Sequence, residues 1–297
     1  LEGQEMKSKY ILAKFTFWLV RFKTLARAIR IFSSVESPCF IKCSLFNYDF
    51  CLDVSRSITH QLLFLEGERF IQERFLLSTL LKPGMRVVDV GANIGYYLLL
   101  FEKYIKPEGE VVCIEPSQQN LPELKRNIEV NKFTNVKLFE AAIGMEDGDI
   151  GLREGINSKV IDKDHGDYQV TLRKLDSLVA DKVDFLKIGV EGYEGQVLKG
   201  AHEIIIRDTP LLFLELQPNM LPGYGFSVEQ ILNDLSKIYK QIDIYVSQPE
   251  ENIGLFGKLS VRYFMKNNLI KIDNAKGYID KYSQQKMPNS LWAVCQS

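Results

Sequence analysis

From residue 85 onward, short runs of apolar residues alternate with longer segments whose apolar residues recur every three or four positions. The short runs predict buried strands at residues 86–90, 110–115, 136–141, 183–190 and 211–216. The longer segments predict helices at residues 95–104, 118–131 and 194–207. Strands and helices that alternate in this order predict an α/β fold, with a mostly parallel sheet and helices on both faces.

The C-terminal part of the chain continues this pattern. Residues 228–239 have helical spacing, and residues 242–246 and 291–295 are short apolar runs. We expect the two runs to complete the same sheet as an antiparallel pair at its C-terminal edge.

The part before residue 85 gives a more mixed signal. Residues 40–54 predict short strands with a turn at 47–49, and residues 68–81 predict a helix. Both segments lead into the main domain. The sequence therefore predicts one domain over residues 36–297, preceded by a separate segment over residues 1–35.

That N-terminal segment predicts a basic amphipathic helix over residues 7–34. Its apolar residues recur at helical spacing: Ile11, Phe15, Trp18, Phe22, Leu25 and Ile29. Lysines and arginines flank this stripe, and no acidic residue lies between Glu5 and Glu36. Such a helix can lie on an anionic membrane surface. Packing on its own domain or on a partner subunit, and a role in targeting, are the alternatives.

Composition excludes several classes of protein. Of the 297 residues, 46% are hydrophobic and 25% are charged, as in ordinary globular proteins. The 37 basic and 38 acidic residues nearly balance, which argues against a dedicated nucleic-acid-binding protein. The five cysteines are too few for a disulfide scaffold, and the three histidines are scattered, so we expect no metal site. Free thiols are typical of the reducing cytoplasm.

A glycine-containing loop follows the first predicted strand and reads D-V-G-A-N-I-G over residues 89–95. Gly91 and Gly95 allow a tight turn and a close approach of the backbone to a ligand. Asn93 stands where the dinucleotide-binding motif requires a glycine, so a pyrophosphate contact is not expected. Asp89 adds a carboxylate, which would repel a phosphate but suits an aminoacyl or sulfonium-bearing ligand.

The second predicted strand ends in Glu115 and Pro116, 20 residues beyond Gly95. A carboxylate at this strand end can accept hydrogen bonds from both hydroxyl groups of a ribose. An acid here, after such a glycine loop, indicates an adenosyl ligand without a pyrophosphate. S-adenosylmethionine fits this description, with S-adenosylhomocysteine as its product, and NAD fits less well.

A set of short motifs resembles the FkbM-type methyltransferases. These motifs are V-D-V-G-A-N-I-G-Y-Y at 88–97, I-E-P at 114–116, L-K-R-N-I at 124–128 with Asn131, N-V at 135–136, A-I-G at 142–144, T-L at 171–172 with L-D at 175–176, L-K-I-G-V-E-G-Y-E at 186–194 and V-L-K-G-A at 197–201. The resemblance covers residues 68–217, about half of the chain.

This resemblance implies a class I methyltransferase fold, which is Rossmann-like, with S-adenosylmethionine as cofactor and O-methylation as reaction. The usual acceptors are sugars, glycans and polyketide-type products. The residues that match the family's cofactor motifs are Asp89, Gly91, Ala92, Asn93, Gly95, Glu115, Pro116 and Ala142.

One position departs from the family pattern. Gly189 stands where the family usually has an acid, in K-I-D-V-E-G. A hydroxyl acceptor needs a base as its new bond forms. Glu191 is the first candidate for that base, followed by Glu194 and Lys187. The structural alternatives are that Glu191 caps a helix beginning near Tyr193 and that Lys187 pairs with a neighbouring side chain.

The sequence thus predicts an S-adenosylmethionine-dependent O-methyltransferase that acts on a glycan or a related hydroxylated metabolite. The alternative is a non-catalytic protein that binds S-adenosylmethionine or a partner and has lost turnover through Gly189. The sequence leaves the oligomeric state open.

Overall fold

A computed structural model of the chain describes residues 37–68, 71–106, 108–155, 158–249, 267–272 and 290–297. The basic helix predicted over residues 7–34 lies outside the described residues. The chain divides into two compact units. One consists of Leu1–Glu73 and Pro249–Asn268, and the other of Arg74–Gln248 and Leu269–Ser297.

The first unit contains a hairpin of two antiparallel strands, β1 (Phe40–Leu45) and β2 (Tyr48–Asp53). Phe46 and Asn47 form its two-residue turn, and both have positive φ, as tight hairpin turns require. The predicted strands are confirmed, with the turn beginning one residue earlier than expected. A helix that was not predicted from the sequence, α1 (Ile58–Glu66), follows the hairpin and is capped by Ser57. The next helix, α2 (Ile71–Leu80), was predicted.

The second unit is built on a central β-sheet. Its strands are β3 (Arg86–Val90), β4 (Glu110–Ile114), β5 (Val136–Phe139), β10 (Phe185–Ile188), β11 (Leu211–Leu216), β12 (Gln241–Pro249), β13 (Asn267–Ile272) and β14 (Leu291–Gln296). They lie in the order β13-β12-β14-β11-β10-β3-β4-β5. The five strands from β11 to β5 are parallel, whereas β14 is antiparallel to both of its neighbours. The mostly parallel α/β sheet is therefore confirmed.

One detail of the sheet differs from the sequence-based expectation. The antiparallel strand β14 does not lie at the edge, because it pairs with β11 on one side and β12 on the other. Five of its six residues are buried, which fits an interior strand better than an edge strand. Among the described strands, β13 occupies that edge.

Helices pack on both faces of the sheet. They are α3 (Tyr96–Ile105), α4 (Leu121–Val130), α5 (Leu175–Leu178), α6 (Glu194–Gly200), α7 (His202–Asp208) and α8 (Val228–Leu235). Neighbouring residues of a strand point to opposite faces. Phe185 contacts Phe101 of α3, whereas Leu186 belongs to a core cluster with residues of α6, α7 and α8. The helix predicted over residues 194–207 is divided at Ala201 into α6 and α7.

A second, four-stranded sheet was not predicted. Its strands are β6 (Ala142–Ile143), β7 (Gly148–Arg153), β8 (Lys159–Ile161) and β9 (Tyr168–Arg173), in the order β6-β9-β7-β8. In β9, Val170 and Leu172 are buried while Gln169 and Thr171 are exposed, so one face of this sheet joins the core. This sheet lies between β5 and β10 in the chain and adds a wall to the site described next.

Candidate functional site

Loops that follow several parallel strands line an open cleft at the carboxyl edge of the central sheet. This edge is where ligands bind in open α/β sheets. The space in and above the cleft, including the part open to solvent, is about 610 Å³. Six of the eleven predicted cofactor and catalytic residues line the cleft: Gly91, Asn93, Glu115, Pro116, Ala142 and Glu191. Gly189 lines it as well. The structure therefore brings together residues that are up to 100 positions apart in the chain.

The glycine loop after β3 is shaped by the protein itself. Gly91 has a φ of 85°, and its N–H donates to the Ile114 carbonyl at 2.9 Å. A Cβ on Gly91 would lie 2.2 Å from the carbonyl oxygen of Gly189. From the sequence, this glycine was assigned to close approach by a ligand. The structure shows that the loop after β10 already excludes a side chain at this position.

Two further residues of this loop serve its conformation rather than the cleft lining. Ala92 is buried, and its N–H donates to the Ile114 carbonyl at 3.1 Å. Gly95 has a φ of 90° and precedes the first turn of α3. A Cβ on Gly95 would lie 3.0 Å from a methyl group of Leu124 in α4.

Glu115 is buried at the cleft, where three groups hold its carboxylate. Its Oε2 accepts a hydrogen bond from the Asn93 N–H at 2.7 Å. Its Oε1 accepts from the Ser117 N–H at 2.9 Å and from Asn120 Nδ2 at 3.0 Å. Burial raises the pKa of Glu115, and these hydrogen bonds oppose that shift. Carboxylate oxygens have several lone pairs, so the oriented group retains capacity to accept from a ligand hydroxyl.

Asp89 and Lys187 form a buried ion pair beneath the glycine loop. Lys187 Nζ lies 2.9 Å from Asp89 Oδ1 and donates to the Gly91 carbonyl at 3.0 Å. It also lies 4.9 Å from the centre of the Tyr97 ring. Burial raises the pKa of Asp89, and the Lys187 charge opposes that shift. Of the two interpretations of Lys187, this geometry favours pairing with a neighbour over a catalytic contact.

The segment after β10 presents Glu191 to the cleft. The strand was predicted to reach residue 190, but β10 ends at Ile188, so residues 189–192 form a loop. Glu191 has a φ of 54°, a conformation that is uncommon outside glycine and is often found at functional sites. Glu194 is fully buried, and its Oε1 accepts from the Gly192 N–H at 2.8 Å. Burial raises the pKa of Glu194 to about 7.

These positions separate the three candidate bases. Glu191 lines the cleft, whereas Lys187 lies beneath the glycine loop and Glu194 supports the loop that carries Glu191. Near the start of α6, Glu194 accepts a hydrogen bond from a backbone N–H, that of Gly192. The role of Glu191 as the base for an acceptor hydroxyl therefore stays a prediction, and its position in the cleft lining suits that role.

A carboxylate that was missed from the sequence lies beside Gly189. A Cβ on Gly189 would be 3.4 Å from Glu215 Oε2 and 3.3 Å from Lys187 Nζ. Glu215 belongs to β11, the strand that pairs with β10. The place where the family pattern has an acid is thus next to an acid from the neighbouring strand. Only the register of β10 against β11 brings the two positions together.

The second sheet also contributes residues that were missed from the sequence. Leu152 and Val160 supply apolar lining from β7 and β8, and Ser158 adds a hydroxyl group. Outside that sheet, Tyr193 before α6 also lines the cleft and packs edge-to-face on Tyr224, with ring centres 5.2 Å apart. The alternation of polar and apolar residues in β9 was the signal that could have revealed this sheet.

Metal binding and membrane crossing can be assessed for the described part of the chain. There, no group of three or more His, Cys, Asp or Glu side chains is arranged to hold a metal ion. Over the same residues, no helix combines the length and the apolar character that crossing a membrane requires.

Three known methyltransferases are similar to parts of this chain. A curated relative, protein-L-isoaspartate O-methyltransferase of Methanothrix thermoacetophila, is 28% identical over 74 residues, which are 25% of this chain and 33% of that protein. A solved methyltransferase FkbM from Methylobacillus flagellatus is 19% identical over 63% of this chain and 50% of that one, with a TM-score of 0.40. An rRNA methylase from Streptococcus thermophilus is 12% identical over 77% and 98% of the two chains, with a TM-score of 0.41.

The chain thus spans a third of the curated relative and half of the FkbM structure that it matches. The model of the methyltransferase FkbM domain matches residues 89–239, just over half of the chain. That match begins at the glycine loop and includes Glu115, the loop after β10 and the second sheet. The chain therefore belongs to the methyltransferase FkbM domain family.

Proposed function

We propose that this protein transfers a methyl group from S-adenosylmethionine to a hydroxyl group of a glycan or a related hydroxylated metabolite. The observation that carries the proposal is the Glu115 carboxylate, which is oriented by three hydrogen bonds at a cleft that also contains Glu191. One carboxylate suits the ribose of the cofactor, and the other suits the hydroxyl group of the acceptor.

The residues of the cleft fit an adenosyl ligand. Glu115 offers only acceptor atoms when ionised, as the two ribose hydroxyls require. Apolar side chains beside it offer contact to a flat base: Ile114, Pro116, Ala142, Ile143, Leu152 and Val160. Asp89 and Lys187 neutralise each other below the glycine loop, so neither adds an unpaired charge there.

The chemistry needs little beyond positioning and a base. When bound, the cofactor supplies a methyl group on a sulfonium, which is already a strong electrophile. The protein's part is to hold the acceptor oxygen in line, which supplies much of the acceleration. The ordinary pKa of a hydroxyl group lies far above 7, so the acceptor needs a base as its new bond forms. Glu191 accepts the proton of that hydroxyl.

The alternative, a binding protein without turnover, is favoured by one observation. Gly189 has no side chain at the wall of the cleft, where the family pattern has an acid. Against this alternative stand Glu191 in the cleft and Glu215 beside Gly189.

An assay of methyl transfer separates these functions. S-adenosylmethionine with a labelled methyl group is incubated with the protein and a panel of hydroxylated acceptors, with RNA as a separate arm. Label on a hydroxyl of a sugar-containing acceptor supports the proposal, and label on RNA contradicts the acceptor class. Binding of S-adenosylhomocysteine without transfer to any acceptor supports the binding protein.

The Glu115→Gln variant is expected to bind S-adenosylhomocysteine more weakly by about 1.5–3 kcal/mol, the range for a hydrogen bond to a charged group. Titration calorimetry measures this difference. Glu110→Gln is the matched control, because Glu110 lies at the opposite end of β4 and pairs with Arg86 and Lys137. Unchanged affinity in Glu115→Gln, with the fold intact, would exclude the ribose contact.

A further inference from the structure

Glu154 follows β7 and joins the second sheet to the turn after β4. Its carboxylate accepts hydrogen bonds from the hydroxyl groups of Ser158, which directly precedes β8, and of Tyr168 in β9. It also accepts from Ser117 Oγ, which lies 2.8 Å from Oε1 and 3.0 Å from Oε2. The Gln119 N–H is 3.4 Å from Oε1. Ser117 and Gln119 belong to the turn that follows Glu115 and leads into α4.

The same turn orients the Glu115 carboxylate. Ser117 and Asn120 donate to Glu115 Oε1, at 2.9 Å and 3.0 Å. The Gln118 N–H donates to the Tyr168 hydroxyl at 2.7 Å, and the Asn120 N–H donates to Ser117 Oγ at 3.2 Å. Each residue from 117 to 120 is therefore bound to Glu154, to a partner of Glu154 or to Glu115.

The hydrogen bonds of Glu154 show in which way it can act. Four protein donors surround its two oxygens, with the Ser117 hydroxyl near both, so little acceptor capacity is left for a ligand. Burial raises the pKa of Glu154, but hydrogen bonds from Ser158, Tyr168 and Ser117 lower it below its ordinary value overall. The group is thus an ionised acceptor that holds its neighbours in place.

We propose that Glu154 is a positioning residue that orients the Glu115 carboxylate for the cofactor by holding the turn at residues 117–120. The proposal rests on the proposed function, since it takes the ribose of the cofactor to lie against Glu115. It assigns the second sheet a role in cofactor affinity, through a residue that does not itself line the cleft.

The Glu154→Gln variant tests this role by calorimetry with S-adenosylhomocysteine. The amide keeps the size of the side chain but replaces one acceptor oxygen by a donor, which then faces the donating hydroxyls of Ser158 and Ser117. We expect binding to weaken about tenfold, which corresponds to the loss of one hydrogen bond to a charged group. Affinity within twofold of the wild type would overturn the proposal.

Asp147→Asn is the matched control, because it removes a carboxylate beside the second sheet without disturbing the turn that orients Glu115. Asp147 precedes β7, and its Oδ1 accepts from the Lys174 N–H at 2.7 Å and lies 3.4 Å from Ser177 Oγ, with no contact to the turn. This variant is expected to lower the midpoint of thermal unfolding while its affinity for S-adenosylhomocysteine stays within twofold. An equal loss of affinity in Asp147→Asn and Glu154→Gln would show a general structural effect and overturn the proposal.

A double-mutant cycle with Glu115→Gln shows whether Glu154 acts through Glu115. Residues that act through one another give non-additive effects. Glu154→Gln is expected to change affinity less than threefold in the Glu115→Gln background. Losses that multiply fully would overturn the proposal. Wild-type protein that does not bind S-adenosylhomocysteine would overturn the proposed function as well.

A second pair of variants keeps the proposal testable if Glu154→Gln does not fold. Tyr168→Phe removes the hydroxyl that bridges Glu154 and the Gln118 N–H. Tyr239→Phe removes a buried hydroxyl that donates to the Pro210 carbonyl at 2.9 Å, away from the turn. Weaker binding in Tyr168→Phe alone supports the proposal, and equal affinities in the two variants contradict it.

Discussion

The Gly91→Val variant is expected to lose measurable binding of S-adenosylhomocysteine and to be less stable to unfolding by about 3–5 kcal/mol, from backbone strain and overpacking together. At a φ of 85°, a β-branched residue is strongly disfavoured. The new Cβ would also lie 2.2 Å from the Gly189 carbonyl oxygen, so the loops after β3 and β10 must separate. Both loops line the cleft, and their separation displaces Asn93 and Glu191 together. Urea unfolding and calorimetry measure the two effects.

Gly84→Val separates backbone strain from the contact. Gly84 has a φ of 83°, but a Cβ there would have no atom within 4 Å. We expect this control to lose about 1–3 kcal/mol of stability from strain and to bind S-adenosylhomocysteine like the wild type. Normal binding in Gly91→Val would mean that the ligand does not lie against this loop.

The Glu191→Gln variant is expected to transfer methyl groups more slowly by a factor on the order of 10²–10⁴, the usual contribution of a positioned base. Its affinity for S-adenosylhomocysteine is expected to stay within twofold, because the proposed site assigns the ribose to Glu115 and the acceptor to Glu191. Rates of methyl transfer on the acceptor found in the panel measure the effect. Glu229→Gln, an exposed glutamate in the first turn of α8, is the control. Full activity in Glu191→Gln would refute the role assigned to that residue.

Gly189→Asp tests the alternative that this chain has lost a catalytic acid. If the chain has lost a catalytic acid at position 189, the new carboxylate should raise the rate of methyl transfer or create the activity. We expect no gain, because Glu191 already presents a carboxylate to the cleft. Gly189→Ala separates the added volume from the added charge, and the double variant with Glu191→Gln shows whether the two positions are coupled. An inactive wild type that Gly189→Asp activates would support the lost acid.

The parts of the site that were predictable from sequence are those that short motifs encode. Gly91 and Glu115 each follow a strand directly, so their place at the sheet edge needed only the strand boundaries. Asp89 was expected near the ligand, but it lies inside β3, between Val88 and Val90. Alternation along the strand places its side chain on the opposite face from theirs, where Lys187 meets it.

The parts that were missed depend on contacts between distant segments. Glu215 approaches Gly189 only through the pairing of β10 with β11. Glu154 joins the second sheet to the turn at residues 117–120. Strands β6 and β8 of that sheet have only two and three residues, too few to show an alternation of apolar and polar residues. The loop conformation of residues 189–192 was also hidden, because an apolar run does not show where its strand ends.

The most direct test of the proposed cofactor site is a crystal structure of this chain with S-adenosylhomocysteine. We expect the ligand in the cleft between the loops after β3, β4 and β10, with both ribose hydroxyls within hydrogen-bond distance of the Glu115 carboxylate. A ligand bound elsewhere, or a ribose that faces away from Glu115, would contradict the proposed site.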